Sequence, residues 1–164
     1  MIQVNVRSQL LTWTSPSGAV RHWPISTAAN GIGQCNQSGQ TPQGLHYISH
    51  CIGLGLPSAS VFVGRRWTGE LFSNALALQW PKRDWILGRI LWLKGSEPGV
   101  NRGWDHAGRH VDTWRRYIYI HGTNEVERLG EPCSHGCIRM APLAIVELAE
   151  QVKCGTQVCI DGSV

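Results

Sequence analysis

Residues 133–140 read CSHGCIRM, and residues 117–123 read YIYIHGT. Cys137 follows a serine, a histidine and a glycine, and His121 stands sixteen positions before it (137 − 121 = 16). A cysteine, a separate histidine and a donor-rich turn are the parts of thiol acyl transfer. The thiolate attacks a carbonyl, the imidazole carries the proton, and backbone N–H groups receive the oxyanion. Gly136 permits a tight turn that aims successive N–H groups at one point. A helix is expected directly after the turn, and its positive end should lower the pKa of Cys137.

Three other arrangements use the same residues. Cys133, His135 and Cys137 would bind zinc with His106 or His110. However, C-x-H-x-C is not a usual ligand spacing, and Gly108 between the two histidines disfavours a helix. Cys133 and Cys137 would form a disulfide in an oxidising compartment, yet the first residues carry no secretory pattern. His121 alone reads as a satisfied core histidine. Beside the 134–139 turn it reads as a base.

Strands are the elements that must hold these groups. Residues 2–12 alternate as a strand, 15–18 form a turn, and 19–26 read as the returning strand. A Gly/Asn/Gln-rich loop at 28–44 leads to a strand at 45–52. Residues 53–84 are poorly periodic, 85–93 read as a strand, and 94–113 as a long polar loop. In the strand 117–121, Tyr117, Tyr119 and His121 share one face, and Ile118 and Ile120 the other. The sequence predicts a helix over 142–153, with Pro142 at its first position and Ile145, Leu148, Ala149 and Val152 on one stripe. Gly155 suits the residue after it. A last strand at 156–160 completes a mainly β, mainly antiparallel sheet or barrel with one C-terminal helix.

Composition sets the outer bounds. The chain has 164 residues, 42% hydrophobic and 16% charged, as in an ordinary globular protein. The net charge of +4 slightly favours a small anionic substrate but is too weak to imply nucleic acid. Basic pairs such as Arg65–Arg66 and Arg115–Arg116 read as solvated surface. No apolar run reaches membrane-spanning length, because Arg89 interrupts the longest, 85–93. The six cysteines follow no disulfide framework. The beginning of the chain suggests a cytoplasmic protein, or a periplasmic one if an export signal is missing from it. The eight tryptophans are expected in the core rather than on a sugar platform.

HGT followed by SHGCIRM resembles the signature of the L,D-transpeptidase catalytic domain (YkuD-type). TPQG at 41–44 resembles that family's TPxG turn, and CGTQVCI at 154–160 its closing GTPV strand. The resemblance covers essentially the whole chain, 1–164, as one domain. About 53–113 carries no family landmark and is expected to be a loop-rich insertion. The resemblance implies a β-sandwich or barrel and a cofactor-free, metal-free cysteine enzyme acting on peptidoglycan stem peptides. Such an enzyme cuts between the L-centre of the third residue, usually diaminopimelate, and the D-alanine of a tetrapeptide. Cys137 is then the nucleophile and His121 the base. The N–H groups around His135, Gly136 and Cys137 form the oxyanion hole, and the Gly122 carbonyl orients the imidazole. Ser134 is expected to contact substrate. Many relatives have Asn where this chain has Arg139, which suits either a substrate carboxylate or a structural ion pair.

Water as acceptor would make the enzyme an L,D-carboxypeptidase serving muropeptide recycling, and a second stem would make it a transpeptidase forming 3–3 cross-links. The cytoplasmic expectation, and loops 28–44 and 94–113 crowding the acceptor side, favour water. A non-catalytic wall-binding module is the reading from another class. The complete Cys137/His121 pair argues against it.

Overall fold

The computed structural model describes residues 1–162. The alternating stretch 2–12 forms two strands rather than one, β1 (Ile2–Asn5) and β2 (Leu10–Thr14). They pair antiparallel, Ile2 opposite Trp13. The Asn5 side chain accepts from the Ser8 N–H at 2.8 Å, and Gln9 takes a left-handed φ of +50°. The Asn5 side chain thus closes the turn that reverses the chain. The apolar alternation continues through both strands, so the pattern hides the reversal.

β3 (Val20–Pro24) returns as expected, followed by β4 (Gly44–Ile52), β5 (Ser60–Val63) and β6 (Arg66–Leu71). A short helix, α1 (Asn74–Gln79), precedes β7 (Ile86–Gly95). Then come β8 (Tyr119–Gly122), β9 (Ile138–Met140), α2 (Pro142–Gln151) and β10 (Gln157–Asp161). The sheet runs β3-β2-β1-β10-β4-β7-β5-β6, with β8 on β7 and β9 on β8. The architecture is mainly β with a C-terminal helix. Two pairs, β1/β10 and β8/β9, are parallel.

The segment 53–113 is not the loop-rich insertion expected. It supplies β5, β6, α1 and β7, and β7 pairs with β4, β5 and β8. β6 has no buried position to reveal a period, because it is an exposed edge strand.

The core lies between α2 and one face of the sheet. Ile145 and Leu148 of α2 are fully buried in a cluster with Leu91, Ile120, Ile138 and Met140. Burying each such side chain contributes about 1.5–3 kcal/mol. This packing presses Ile120 and Ile138 inward and leaves the opposite face of β8 and β9 for the site. Gly122 permits a close approach: a Cβ there would meet the Leu87 carbonyl oxygen at 2.6 Å.

His46 on β4 is buried. Its Nδ1–H donates to the Gly44 carbonyl at 3.0 Å, and its Nε2 faces the Thr113 hydroxyl at 3.0 Å. Burial lowers its pKa to about 4. The unfolded chain, with an ordinary histidine, then binds the proton between pH 6.5 and 4 while the fold does not. Stability should therefore fall as pH drops through that window, by roughly 3 kcal/mol from this residue alone. Below pH 4 its contribution should level off. Urea unfolding at pH 7.5, 5.5 and 4, with His46→Gln showing a shallower slope, checks this.

Candidate active site

The turn bearing Cys137 is stapled on both sides. On one side the segment 26–29 binds it. Ser134 N–H donates to the Thr27 carbonyl at 2.8 Å, and Ala29 N–H to the Ser134 carbonyl at 2.9 Å. Ser26 and Arg139 exchange backbone bonds at 2.9 and 3.0 Å. On the other side β9 pairs with β8. Between these staples the chain bulges outward. The Ser134 hydroxyl donates to the Cys137 carbonyl at 2.6 Å and accepts from the Gly136 N–H at 3.2 Å. The Thr41 hydroxyl donates to the Gly136 carbonyl at 3.0 Å. Thr41 belongs to the TPQG turn, so that turn braces the one bearing Cys137. Gly136 has φ +136°, open to glycine but not to a residue with a Cβ.

Parallel pairing sets Ile120 against Ile138, His121 against Arg139 and Gly122 against Met140. Paired residues share a face, so His121 and Arg139 project together, and Cys137, two residues before Arg139, joins them. All three line a pocket of about 130 Å³ with Asp84, Tyr117 and His135. The pocket shares Asp84, His135 and Arg139 with a groove of about 570 Å³.

His121 is buried, and its Nδ1 lies 2.8 Å from the Gly122 carbonyl oxygen. A carbonyl only accepts, so Nδ1 carries the proton and Nε2 keeps its lone pair. Burial lowers the pKa of His121, and the Gly122 carbonyl opposes that shift. The Cys137 sulfur accepts the Tyr119 N–H at 3.4 Å, and its S–H faces the Tyr117 carbonyl at 3.5 Å. Tyr117 stands at φ +57°, an unusual conformation for a bulky side chain.

Burial pushes the Cys137 thiol up to about 11; the Tyr119 N–H and the Arg139 and Arg116 guanidinium groups pull against it. The expected lowering by a helix start is not found. β9 intervenes, and α2 begins only at Pro142. Both shifts favour the uncharged forms, a thiol and an imidazole.

Ser134 and Gly136 also differ from expectation, while Arg139 takes the ion pair that was one of its two readings. Ser134 is buried and holds the turn together rather than facing substrate. Gly136 has committed its N–H to Ser134, whereas the N–H groups of His135 and Cys137 meet no acceptor among the described residues. Arg139 is in ion pairs with Glu125 at 2.6 Å and Asp84 at 3.2 Å. Arg116 is not solvated surface: it donates to the carbonyls of Gly33, Gln34 and Gln40 and anchors the 28–44 loop. Arg65 lies over the rings of Trp92 and Tyr117, at 4.8 and 4.7 Å.

The zinc and disulfide arrangements do not assemble. All six cysteines are free thiols, and among the described residues no three His, Cys, Asp or Glu side chains converge. Cys133 points instead at the Ser26 hydroxyl, 3.0 Å away, and His110 packs edge-on against Trp104.

A family model of the L,D-transpeptidase catalytic domain (YkuD) matches residues 1–160. The chain belongs to this family. YkuD of Bacillus subtilis is 36% identical over 66 residues, 38% of this chain and 40% of that protein. YkuD of Bacillus licheniformis is 36% identical over 80 residues, 45% of this chain and 48% of that protein. The matched stretches thus span less than half of either relative. Among solved structures, an L,D-transpeptidase from Mycobacterium smegmatis superposes with a TM-score of 0.54 at 16% identity. The match covers 98% of this chain and 57% of that one. An L,D-transpeptidase from Xylanimonas cellulosilytica gives 0.53 at 16% identity, over 98% and 59%. These likenesses show the fold.

Within this L,D-transpeptidase domain, Asp84, Glu125 and Arg116 are the site residues that sequence reasoning missed. None belongs to the signature. The only available signal was buried charge demand: Arg139 in an otherwise apolar strand, IRM, requires acidic partners.

Proposed function

We propose that the domain transfers the acyl group of a peptidoglycan tetrapeptide stem, through a thioester at Cys137, to the amine of a second stem. The observation that carries the reading is the fixed tautomer of His121, whose free Nε2 shares a pocket with Cys137. As sulfur attacks the carbonyl of the third stem residue, Nε2 takes the thiol proton. The N–H groups of His135 and Cys137 face the developing oxyanion. The tetrahedral intermediate then collapses, the imidazolium protonates the departing D-alanine amine, and the thioester remains.

The acceptor amine needs room beside the thioester. Loops 28–44 and 94–113 were expected to crowd its side. Neither lines the catalytic pocket or the groove beside it; the segment 72–85 does. The first loop packs under the nucleophile turn, and the second binds back on β4 through Asn101, which donates to the Leu45 carbonyl. These loops therefore do not favour water over an amine, and the groove of about 570 Å³ gives a second stem somewhere to lie. Transfer between stems belongs where assembled wall is present.

Incubation with a monomeric disaccharide-tetrapeptide, read by mass spectrometry, tests this. Dimer rising with substrate concentration is the expected result. Tripeptide and free D-alanine at every concentration would restore the carboxypeptidase reading. No turnover and no acyl adduct on Cys137 would leave a wall-binding module.

A further inference from the structure

We infer that Asp84 is a built-in substitute for a substrate carboxylate: it occupies Arg139 in the empty site and yields it to an incoming carboxylate ligand. Arg139 is almost wholly buried and holds two carboxylates that are not equivalent. Glu125 lies at 2.6 Å with its side chain 34% exposed; Asp84 lies at 3.2 Å with its side chain 60% exposed. The tighter contact is the sheltered one. The Asp84 contact is longer and open to water, where screening makes an ion pair weak and exchangeable.

The position of Asp84 matches this role. Asp84 lines both the catalytic pocket and the adjoining groove, so it stands where a ligand passes from one to the other. It arrives on the segment after α1, a helix that fully buries none of its residues. Its negative charge reaches the catalytic pair: it raises the Cys137 pKa and opposes the lowering of His121. A guanidinium presents a planar fork suited to a carboxylate, so a ligand carboxylate can replace Asp84 with no net change of charge at Arg139. The class of ligand is an acyl donor with a free carboxylate close to the reacting carbonyl. Taking that ligand to be a stem peptide rests on the function proposed above. The exchange at Arg139 does not.

Alkylation of Cys137 reads the exchange without any stem peptide. Iodoacetate and iodoacetamide both form an S–C bond and release iodide, but only iodoacetate carries a carboxylate. Their rates at Cys137, resolved by peptide mapping, give a ratio. In Asp84→Asn that ratio should rise about 10-fold or more, the size of one charge-assisted hydrogen bond gained. The iodoacetate rate should saturate, and acetate should protect Cys137 against it. Asp84→Glu should keep the wild-type ratio. The iodoacetamide rate reports whether each variant is folded around its thiol. An unchanged ratio in Asp84→Asn would overturn the inference. So would a rise that never saturates, ignores acetate and vanishes at about 0.5 M salt, since that is a diffuse field and not a site.

Discussion

Cys137→Ala is expected to lower turnover of a tetrapeptide stem by at least about 10⁴-fold, as losing the nucleophile of a covalent mechanism does. The acyl adduct seen by intact-protein mass spectrometry should vanish with it. Cys133→Ala, four residues away, should keep most of the activity, because its sulfur contacts Ser26 outside the pocket. The contrast between the two variants is the decisive part. Equal loss in both, with stoichiometric zinc in the wild type, would mean a metal site at the turn.

His121→Ala is expected to cost about 10²–10⁴-fold in kcat/KM, the range for loss of a general base. The loss should fall on acylation, because the resting thiol holds its proton until a base removes it. In the wild type the base form of His121 must be present. Its pKa lies below the ordinary imidazole value, so activity should persist as pH falls through 6.5 and fail only at lower pH. An acid limb at or above pH 6.5 would contradict that direction. In His121→Ala activity should instead climb with pH, as hydroxide generates the thiolate that the base no longer provides.

Cys137 and His121 were legible as a candidate nucleophile and base because each sits in a short local pattern, and the structure places both in one pocket. Strands such as β3, β4 and β10 were legible for the same reason, and so was the apolar stripe of α2. The acidic partners of Arg139 were not. Asp84 lies fifty-five residues before it and reaches it only because β7 delivers the preceding segment beside β8 and β9. Arg116 looked like half of an exposed basic pair, and its neighbour Arg115 is indeed exposed. Its burial follows from the path of the 28–44 loop, which no local pattern encodes. The expected helix start at Cys137 failed for a smaller reason. Ile138, Arg139 and Met140 are too few to announce a strand, yet parallel pairing with β8 makes them one.

The raised pKa of Cys137 has a bearing on durability. Peroxide attacks thiolates, not thiols, and the path to sulfinic and sulfonic acids begins with that attack. A nucleophile with a permanently low pKa would be exposed to oxidants between every pair of turnovers. Here the sulfur is pushed to about 11 and becomes reactive only while His121 holds its proton. Holding the proton on the sulfur between turnovers therefore keeps the proposed nucleophile from oxidation during idle periods.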